Sequence, residues 1–573
     1  MKVLIVMPRF SCDTSQYYYQ PQGLLFVSSY LKQKGFDVKC LNLNHYGPKK
    51  LTEVLSSDAF DVVCTGGMHV HYHPVKEIVD ETKAVDRRIR VVVGGGLVTA
   101  HPQFAVKHLD SDFHVLHEGE ETCANLLTAL KNDENPENVL GIAFKKNGDY
   151  FETPEAPLIE NLDTIPFPDY ESFEYDYYLD NYSFSTQLGV SQNSQRTSYV
   201  AGSRDCPAKC TFCYRIMHGS YRVRSVDNVM KEIRYQLDRF KINDLYVNDE
   251  IFAMNKNRVI EFCEKIKPFN LQWNAQMRVN MADENILRLM KDAGCQRIGF
   301  GFESGSQPVL KSMKKGIRVE QIETAMVLTK KAKMSINANF IFGDPAETVE
   351  TARETFDFYR RHKGYGVLAI MLAPYPGTSL YYDFLNKNVI KDPVKFFVDS
   401  YDDNGDVVNL TAMSDDEYRS LRLKTTLEEE KNRVYGKVTQ CEDLGELYEL
   451  SLNCPHCASK ITALKIGKAY LLSNQPRCAC KDCCQWIYFN RLELPVPHNS
   501  VKRFLQKTLK KIYFFMIYLL TLKFEPSAHD NNKAKPLYFP IIFFVEQLKL
   551  NSLLWSFISA RKRKTPNMEY VEM

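Results

Sequence analysis

The sequence predicts a mixed α/β protein. It reads as an N-terminal doubly wound parallel sheet, a partial (β/α)6 barrel, a small cysteine-rich module and a helical C-terminal tail. Three observations carry this. Short apolar runs alternate with helix-periodic segments over residues 1–135, the pattern of a parallel sheet covered on both faces. The same alternation restarts near Thr197 and supplies six further strands. The cysteines gather at two places, one of them beyond the last of those strands. A chain of 573 residues exceeds one core at about 150 residues per domain. Its 44% hydrophobic and 25% charged content is ordinary for a globular protein. A net charge of +3 is small and by itself argues nothing about nucleic acid; no nucleic-acid partner is expected, because the chain shows no basic C-terminal RNA-binding barrel.

In the first region, residues 3–7, 37–43, 61–65, 90–93 and 113–116 read as strands. Residues 23–34, 75–83 and 120–130 read as helices, the first stopped by Gly35. Ligands of such sheets sit beyond the carboxyl ends of the strands. Here two of those ends carry Gly66-Gly67 and Gly94-Gly95-Gly96. Residues 136–195, rich in Pro, Asp and Tyr with weak periodicity, read as a linker.

Residues 196–385 form the predicted barrel, with strands at 198–201, 244–247, 272–276, 297–301, 337–341 and 367–372. Its chemistry should lie at the carboxyl ends of these strands. Residues 386–450 read as a helical extension and 451–490 as the cysteine module. Residues 491–573 form a basic and apolar tail. Its apolar run at 512–522 is about half a membrane span. Together with Arg561-Lys-Arg-Lys564 it suits peripheral contact with an anionic membrane as well as docking onto the chain's own barrel. MKVLIVMPRF lacks the layout of a secretory signal. The expectation is a reducing, cytoplasmic setting, in which clustered cysteines bind metal.

The first cluster is Cys206-Pro-Ala-Lys-Cys210-Thr-Phe-Cys213, directly after the first barrel strand. Three thiolates can ligate three irons of a 4Fe–4S cubane and leave the fourth open. A structural zinc site would need a fourth ligand, for which His218 is in reach. The C-x3-C-x2-C spacing with Phe212 before the last cysteine resembles the radical S-adenosylmethionine (SAM) superfamily. That resemblance implies a cluster on Cys206, Cys210 and Cys213 that chelates SAM and cleaves it to a 5′-deoxyadenosyl radical. It also implies a reducing partner such as flavodoxin or ferredoxin. Asn248-Asp249-Glu250, after the second strand, then corresponds to the stretch that contacts the methionyl amine. Glu303 and Ser304, after the fourth, correspond to the ribose and carboxylate contacts. Arg278 and Arg318 are further carboxylate candidates. Taken singly, such charges would be solvated loop or cap residues.

Gly94-Gly-Gly-Leu-Val-Thr99-Ala-His-Pro and the later Glu118-Gly119-Glu120 resemble the cobalamin-binding domain that precedes the barrel in one large branch of this superfamily. The resemblance implies a corrin near Gly66, Gly67, Gly94, Gly95, Gly96, Thr99 and Glu120. Glycines let a large planar ring approach the backbone. No Asp-x-His-x-x-Gly follows the first strand, and Asp112-Phe-His114 is only a partial echo. Cobalt without a histidine ligand is therefore expected. His69, His71 and His73 could touch the corrin, bind a metal or form an ordinary loop.

Cys454-Pro-His-Cys457 and Cys480-Lys-Asp-Cys483 have the spacing of a four-thiolate zinc ribbon. Cys478 and Cys484 leave the pairing open, and an auxiliary iron–sulfur cluster is the alternative. The function expected is C-methylation of an unactivated carbon in a natural-product or lipid-like small molecule. The alternatives are radical cyclisation or rearrangement, and a non-enzymatic cobalamin or redox sensor. A methylthiolating enzyme is weaker still, resting only on Cys12, Cys40 and Cys64 as mimics of a second cluster. The substrate and any acid–base residues are not encoded in a motif.

Overall fold

A computed structural model describes residues 1–489 apart from 11–17, 19, 48, 182–195, 215–220, 395, 397–407, 445–446 and 468–476. These elements all lie in one unit, Met1–Val496. The second unit, Pro497–Met573, and with it the expected tail, lies outside the described residues, as do Cys12 and His218.

The N-terminal sheet comprises β1 (Lys2–Met7), β2 (Asp37–Asn42), β3 (Val62–Gly66), β4 (Arg90–Gly94), β5 (Phe113–Val115), β6 (Ile142–Lys146) and β7 (Asp149–Glu152), in the order β2-β1-β3-β4-β5-β6-β7. The first five strands run parallel, and β6 and β7 are antiparallel. β1 and β3 are buried almost throughout, as expected for strands covered on both faces. The strands β6 and β7 come from the stretch read as a linker. Further along, Tyr170, Tyr175 and Tyr178 form a strap of buried tyrosines. Tyr170 donates to Glu232 at 2.5 Å, Tyr175 shares a 2.6 Å bond with Ser198, and Tyr178 donates to the Tyr18 carbonyl at 3.3 Å. Its short turns have no helix or strand period, so periodicity could not reveal it. Tyrosine suits the task because its ring buries while its hydroxyl stays bonded.

The barrel strands are β8 (Thr197–Val200), β11 (Asp244–Val247), β12 (Gln272–Met277), β13 (Cys295–Glu303), β14 (Ser335–Phe342) and β15 (Val367–Met371). They form one all-parallel sheet in the order β15-β14-β13-β12-β11-β8. A short hairpin, β9 (Ser203–Arg204) with β10 (Arg222–Val223), follows β8. Four covering helices start on Ser225, Asn255, Asp283 and Thr348, whose side chains accept the first free backbone N–H groups. The outward face is apolar: Val247, Ala275, Ile298, Phe300, Ala338 and Phe340 join the core. The register sets Tyr246, Gln276, Gly299, Asn337 and Leu368 on the opposite, inward face. Gln276, one residue from the carboxyl end of β12, is exposed, so this face borders a lumen that is accessible at the barrel's mouth.

The helix Asp415–Asn432 packs along β15. The chain then turns into β16 (Tyr435–Asp443), which begins the cysteine module earlier than residue 451. With β17 (Leu447–Asn453), β18 (Lys460–Gly467), β19 (Arg477–Ala479) and β20 (Trp486–Phe489) it makes a five-stranded sheet in the order β18-β17-β16-β20-β19. Among the described residues no helix is long and apolar enough to cross a membrane.

Candidate active site at the mouth of the barrel

The cysteine loop leaves the carboxyl end of β8 through the β9–β10 hairpin. Cys210 is buried, and Cys206 and Cys213 are half-buried. Backbone bonds pin the loop on two sides. Thr211 donates to the Met313 carbonyl at 3.1 Å and accepts from the Leu380 N–H at 3.1 Å. Burial raises the Cys206 thiol, with the nearby Glu250 charge adding to the shift and Arg278 opposing it. Burial and Glu250 push Cys213 up to about 12 against the pull of Lys315. Such thiols ionise when a metal takes the proton's place. Three thiols on one pinned loop fit three irons of a cubane.

The neighbouring acids divide their work in a way the spacing did not reveal. Asp249 is buried, and its Oδ1 accepts the backbone N–H groups of Gly202 (2.6 Å) and Ser203 (3.0 Å). It therefore holds the turn that leads into Cys206, whereas Glu250 is exposed beside the thiols. Burial pushes the Asp249 pKa up, and the two backbone bonds and Arg258 oppose this. Ser304 is also turned inward: its Oγ meets Thr355 Oγ1 at 3.0 Å and accepts the Ser306 N–H at 3.1 Å. It braces the end of β13.

Glu303 does face the mouth. It sits in the left-handed region at φ 63° and accepts from Lys315 Nζ at 2.6 Å. The pair lies over Gly301, where a Cβ would collide with both side chains. Lys315 Nζ stands 5.9 Å from the centre of the Phe212 ring, and Phe212 packs among Leu372, Leu380 and Phe384. Arg278 donates to the Lys315 carbonyl. Arg318 is 72% exposed at the start of a helix and stands apart from this group.

In the N-terminal sheet, β3 and β4 end side by side. A Cβ on Gly66 would strike the Gly94 carbonyl, and Gly95 takes φ 82°, with its Cβ position 3.0 Å from Gly67 O. Leu97 donates to the Gly67 carbonyl at 2.8 Å. The result is a shelf of bare backbone, with Gly95 exposed and Gly67 and Gly94 half-exposed. A planar corrin can lie on such a shelf. Thr99 Oγ1 accepts the His117 N–H at 2.9 Å and fixes the shelf's rim. Glu120 takes a different place from the one expected. It pairs with Arg204 at 2.5 Å, while Glu118 pairs with Arg204 (2.7 Å) and Arg222 (2.9 Å). Burial pushes Glu118 up, yet the two guanidiniums hold it below its usual range. These carboxylates clamp the sheet to the hairpin ahead of Cys206.

Tyr214, next to Cys213, was not anticipated. Its hydroxyl donates to the Gly96 carbonyl at 2.7 Å, tying the cysteine loop to the glycine shelf. Adjacency to a ligand cysteine was the one available signal. His69 is buried, its ring 6.1 Å from Tyr214 and 5.1 Å from Tyr375, and burial lowers its pKa to about 4. His71 Nδ1 accepts the Met68 N–H at 3.0 Å. His114 reaches Ser111 and the Ala143 carbonyl on the far edge of the sheet. Cys40 and Cys64 lie in or against the hydrophobic core.

At the other end of the barrel the module gathers Cys454, Cys457, Cys480 and Cys483, with all four sulfurs within 4.8 Å of one another. Both knuckles share one geometry. Cys454 N–H bonds the Ser459 carbonyl and Cys480 N–H the Gln485 carbonyl, and Ala458 and Cys484 both close their turns in the left-handed region. Cys484 is thus the turn residue that matches Ala458, and Cys478 is buried in β19. Of the six cysteines, geometry selects these four.

Residues 8–127 match the B12 binding domain family and residues 200–359 the Radical SAM superfamily. An uncharacterized methyltransferase of Pyrococcus horikoshii is 29% identical over 403 residues, covering 68% of this chain and 84% of the relative. The anaerobic magnesium-protoporphyrin IX monomethyl ester cyclase of Rubrivivax gelatinosus is 26% identical, covering 69% and 72%. The radical SAM methyltransferase TsrM from Kitasatospora setae, solved with tryptophan and a SAM analogue, shares the fold at a TM-score of 0.57. It is 17% identical and covers 67% of this chain and 76% of that one.

Proposed function

We propose that this chain, a radical SAM enzyme carrying a B12-binding domain, methylates an unactivated carbon of a small molecule that has a polar part and an apolar part. Held by Cys206, Cys210 and Cys213, a cluster would supply the electron that cleaves SAM, and a cobalamin on the Gly66–Gly67 and Gly94–Gly96 shelf would supply the methyl group. The observation that carries the reading is the Tyr214–Gly96 bond, which joins the cysteine loop to the glycine shelf. That tie supports a reading in which the two cofactor sites lie side by side over one lumen.

The chain's own residues have distinct tasks. Cys206, Cys210 and Cys213 ligate the cluster, and Glu250 beside them meets the methionyl amine. Lys315 neutralises Glu303 at the mouth, and Phe212 backs Lys315. The lumen face runs from polar to apolar across the sheet. Tyr246, Gln276, Asn337 and Asn339 offer hydrogen bonds, with Gln276 already donating to Tyr246 at 2.6 Å. Ile341, Leu368 and Ile370 offer hydrocarbon, and Ile370 is 40% exposed. This gradient supports a natural-product or lipid-like substrate of mixed character.

Anaerobic reconstitution with SAM and deuterated candidate substrates tests the reading. The expected outcome is S-adenosylhomocysteine together with deuterated 5′-deoxyadenosine. Absence of both sinks it. The cyclase relative favours a second reading, in which deuterated 5′-deoxyadenosine accumulates without S-adenosylhomocysteine.

A further inference from the structure

We infer that Cys454, Cys457, Cys480 and Cys483 hold one zinc ion, and that this ion locks Trp486 in place as the floor of the barrel. The sulfur spacing selects the metal. Cys454 and Cys483 are 3.6 Å apart, and Cys457 and Cys480 are 3.7 Å apart. A zinc–sulfur bond of about 2.3 Å gives a tetrahedron with edges of about 3.8 Å. A cubane cluster holds each thiolate on a different iron corner, which spreads them further.

The floor follows from what the two knuckles carry. Trp486 lies three residues after Cys483 and is fully buried. Its indole N–H donates to the Ile336 carbonyl at 2.6 Å, near the start of β14, and its backbone N–H donates to the Gly364 carbonyl at 3.0 Å, just before β15. Its carbonyl meets Nε2 of His456 at 3.1 Å, and His456 sits between Cys454 and Cys457. Both knuckles therefore hold the same tryptophan. The barrel has shaped itself to receive them. Gly364 and Gly366 take φ 90° and 76°; a Cβ on Gly364 would come within 2.7 Å of the His456 ring, and one on Gly366 would strike the indole.

Arg477 covers the other side of Trp486 at 4.4 Å and donates to the Tyr488 hydroxyl at 3.1 Å. At the amino ends of the strands lies a buried polar layer of Thr197, Asp244, Asn274 and Arg297. Thr197 donates to Asp244 at 2.8 Å, and Asn274 donates to it at 3.3 Å. Arg297 pairs in register with Ser335, the neighbour of the Ile336 whose carbonyl takes the indole N–H, so this layer lies next to the module. Water entering from this end would reach the lumen from below. A closed metal site keeps the plug seated without side-chain packing alone having to do so.

The test uses the full chain purified without oxygen. Metal analysis should give about one zinc beside about four irons. Stripping zinc from the wild-type protein with a chelator should speed hydrogen exchange in peptides covering residues 335–342 and 364–371, with iron content unchanged. The double variant Cys457→Ser, Cys483→Ser should lose zinc and show the same exchange pattern. Trp486→Phe should keep zinc yet exchange faster at those peptides. About eight irons and no zinc would overturn the metal assignment. Zinc loss with unchanged exchange at residues 335–342 and 364–371 would overturn the floor.

Discussion

The two cysteine clusters sit at opposite ends of one barrel and solve opposite problems. At the mouth, three thiols lie on a single loop held by backbone bonds from Met313 and Leu380. At the floor, four thiols come from two knuckles and converge within 4.8 Å. The mouth loop provides one ligand too few to close a metal site, and the floor provides enough to close it completely. An incomplete ligand set needs outside bracing. The mouth obtains it from Asp249, from the Arg204 clamp and from Tyr214. The floor's ligands brace one another, and the module's own Trp486 reaches into the barrel.

Several substitutions would break or sharpen this contrast. The largest effect is expected from Cys210→Ala. Iron should fall to background and 5′-deoxyadenosine formation should stop, while the zinc count stays the same. Retained iron with active SAM cleavage would remove the mouth loop as the cluster site. Next comes Arg204→Ala, which leaves Glu120 buried without its guanidinium. Losing one partner of a buried pair costs about 3–5 kcal/mol, so a clear fall in Tm is expected by calorimetry, along with weaker retention of both mouth cofactors. Tyr214→Phe should be milder. It removes a hydrogen bond worth about 1 kcal/mol, which corresponds to about a fivefold loss of cobalamin affinity, read from bound-cobalamin absorbance at constant iron content. Unchanged affinity would mean that Tyr214 does not position the shelf. The smallest effect should come from Cys484→Ser. Because Cys484 only closes a turn, as Ala458 does, zinc and iron should both stay level, and loss of zinc would reassign the fourth ligand.

How much of this was legible depended on the range of the signal. The cluster spacings are local, so the sequence displayed both, and six strands with covering helices followed from apolar periodicity. Roles that depend on which way a side chain turns were not legible. Asp249 and Glu250 are adjacent, and only the fold shows that the first turns in to the Gly202 and Ser203 amides while the second stays at the surface. Ser304 and Glu120 likewise found partners, Thr355 and Arg204, that lie 51 and 84 residues away. Lys315 arrives from a loop with no motif of its own. The stretch at 136–181 hid two strands and the tyrosine strap because its elements are too short to show a period. The choice among six cysteines in the module also needed geometry, since Cys484 occupies a turn position that spacing alone cannot tell from a ligand.

The graded lining of the lumen has a consequence for how such an enzyme can diversify. The residues that hold the machinery come mostly from one side of the sheet and its loops, whereas the hydrocarbon-bearing positions Ile341, Leu368 and Ile370 lie on β14 and β15, at the sheet's edge. A lineage could exchange those three side chains and accept a new substrate while leaving the reactive centre untouched. The edge would then work as an interchangeable fitting on a fixed tool.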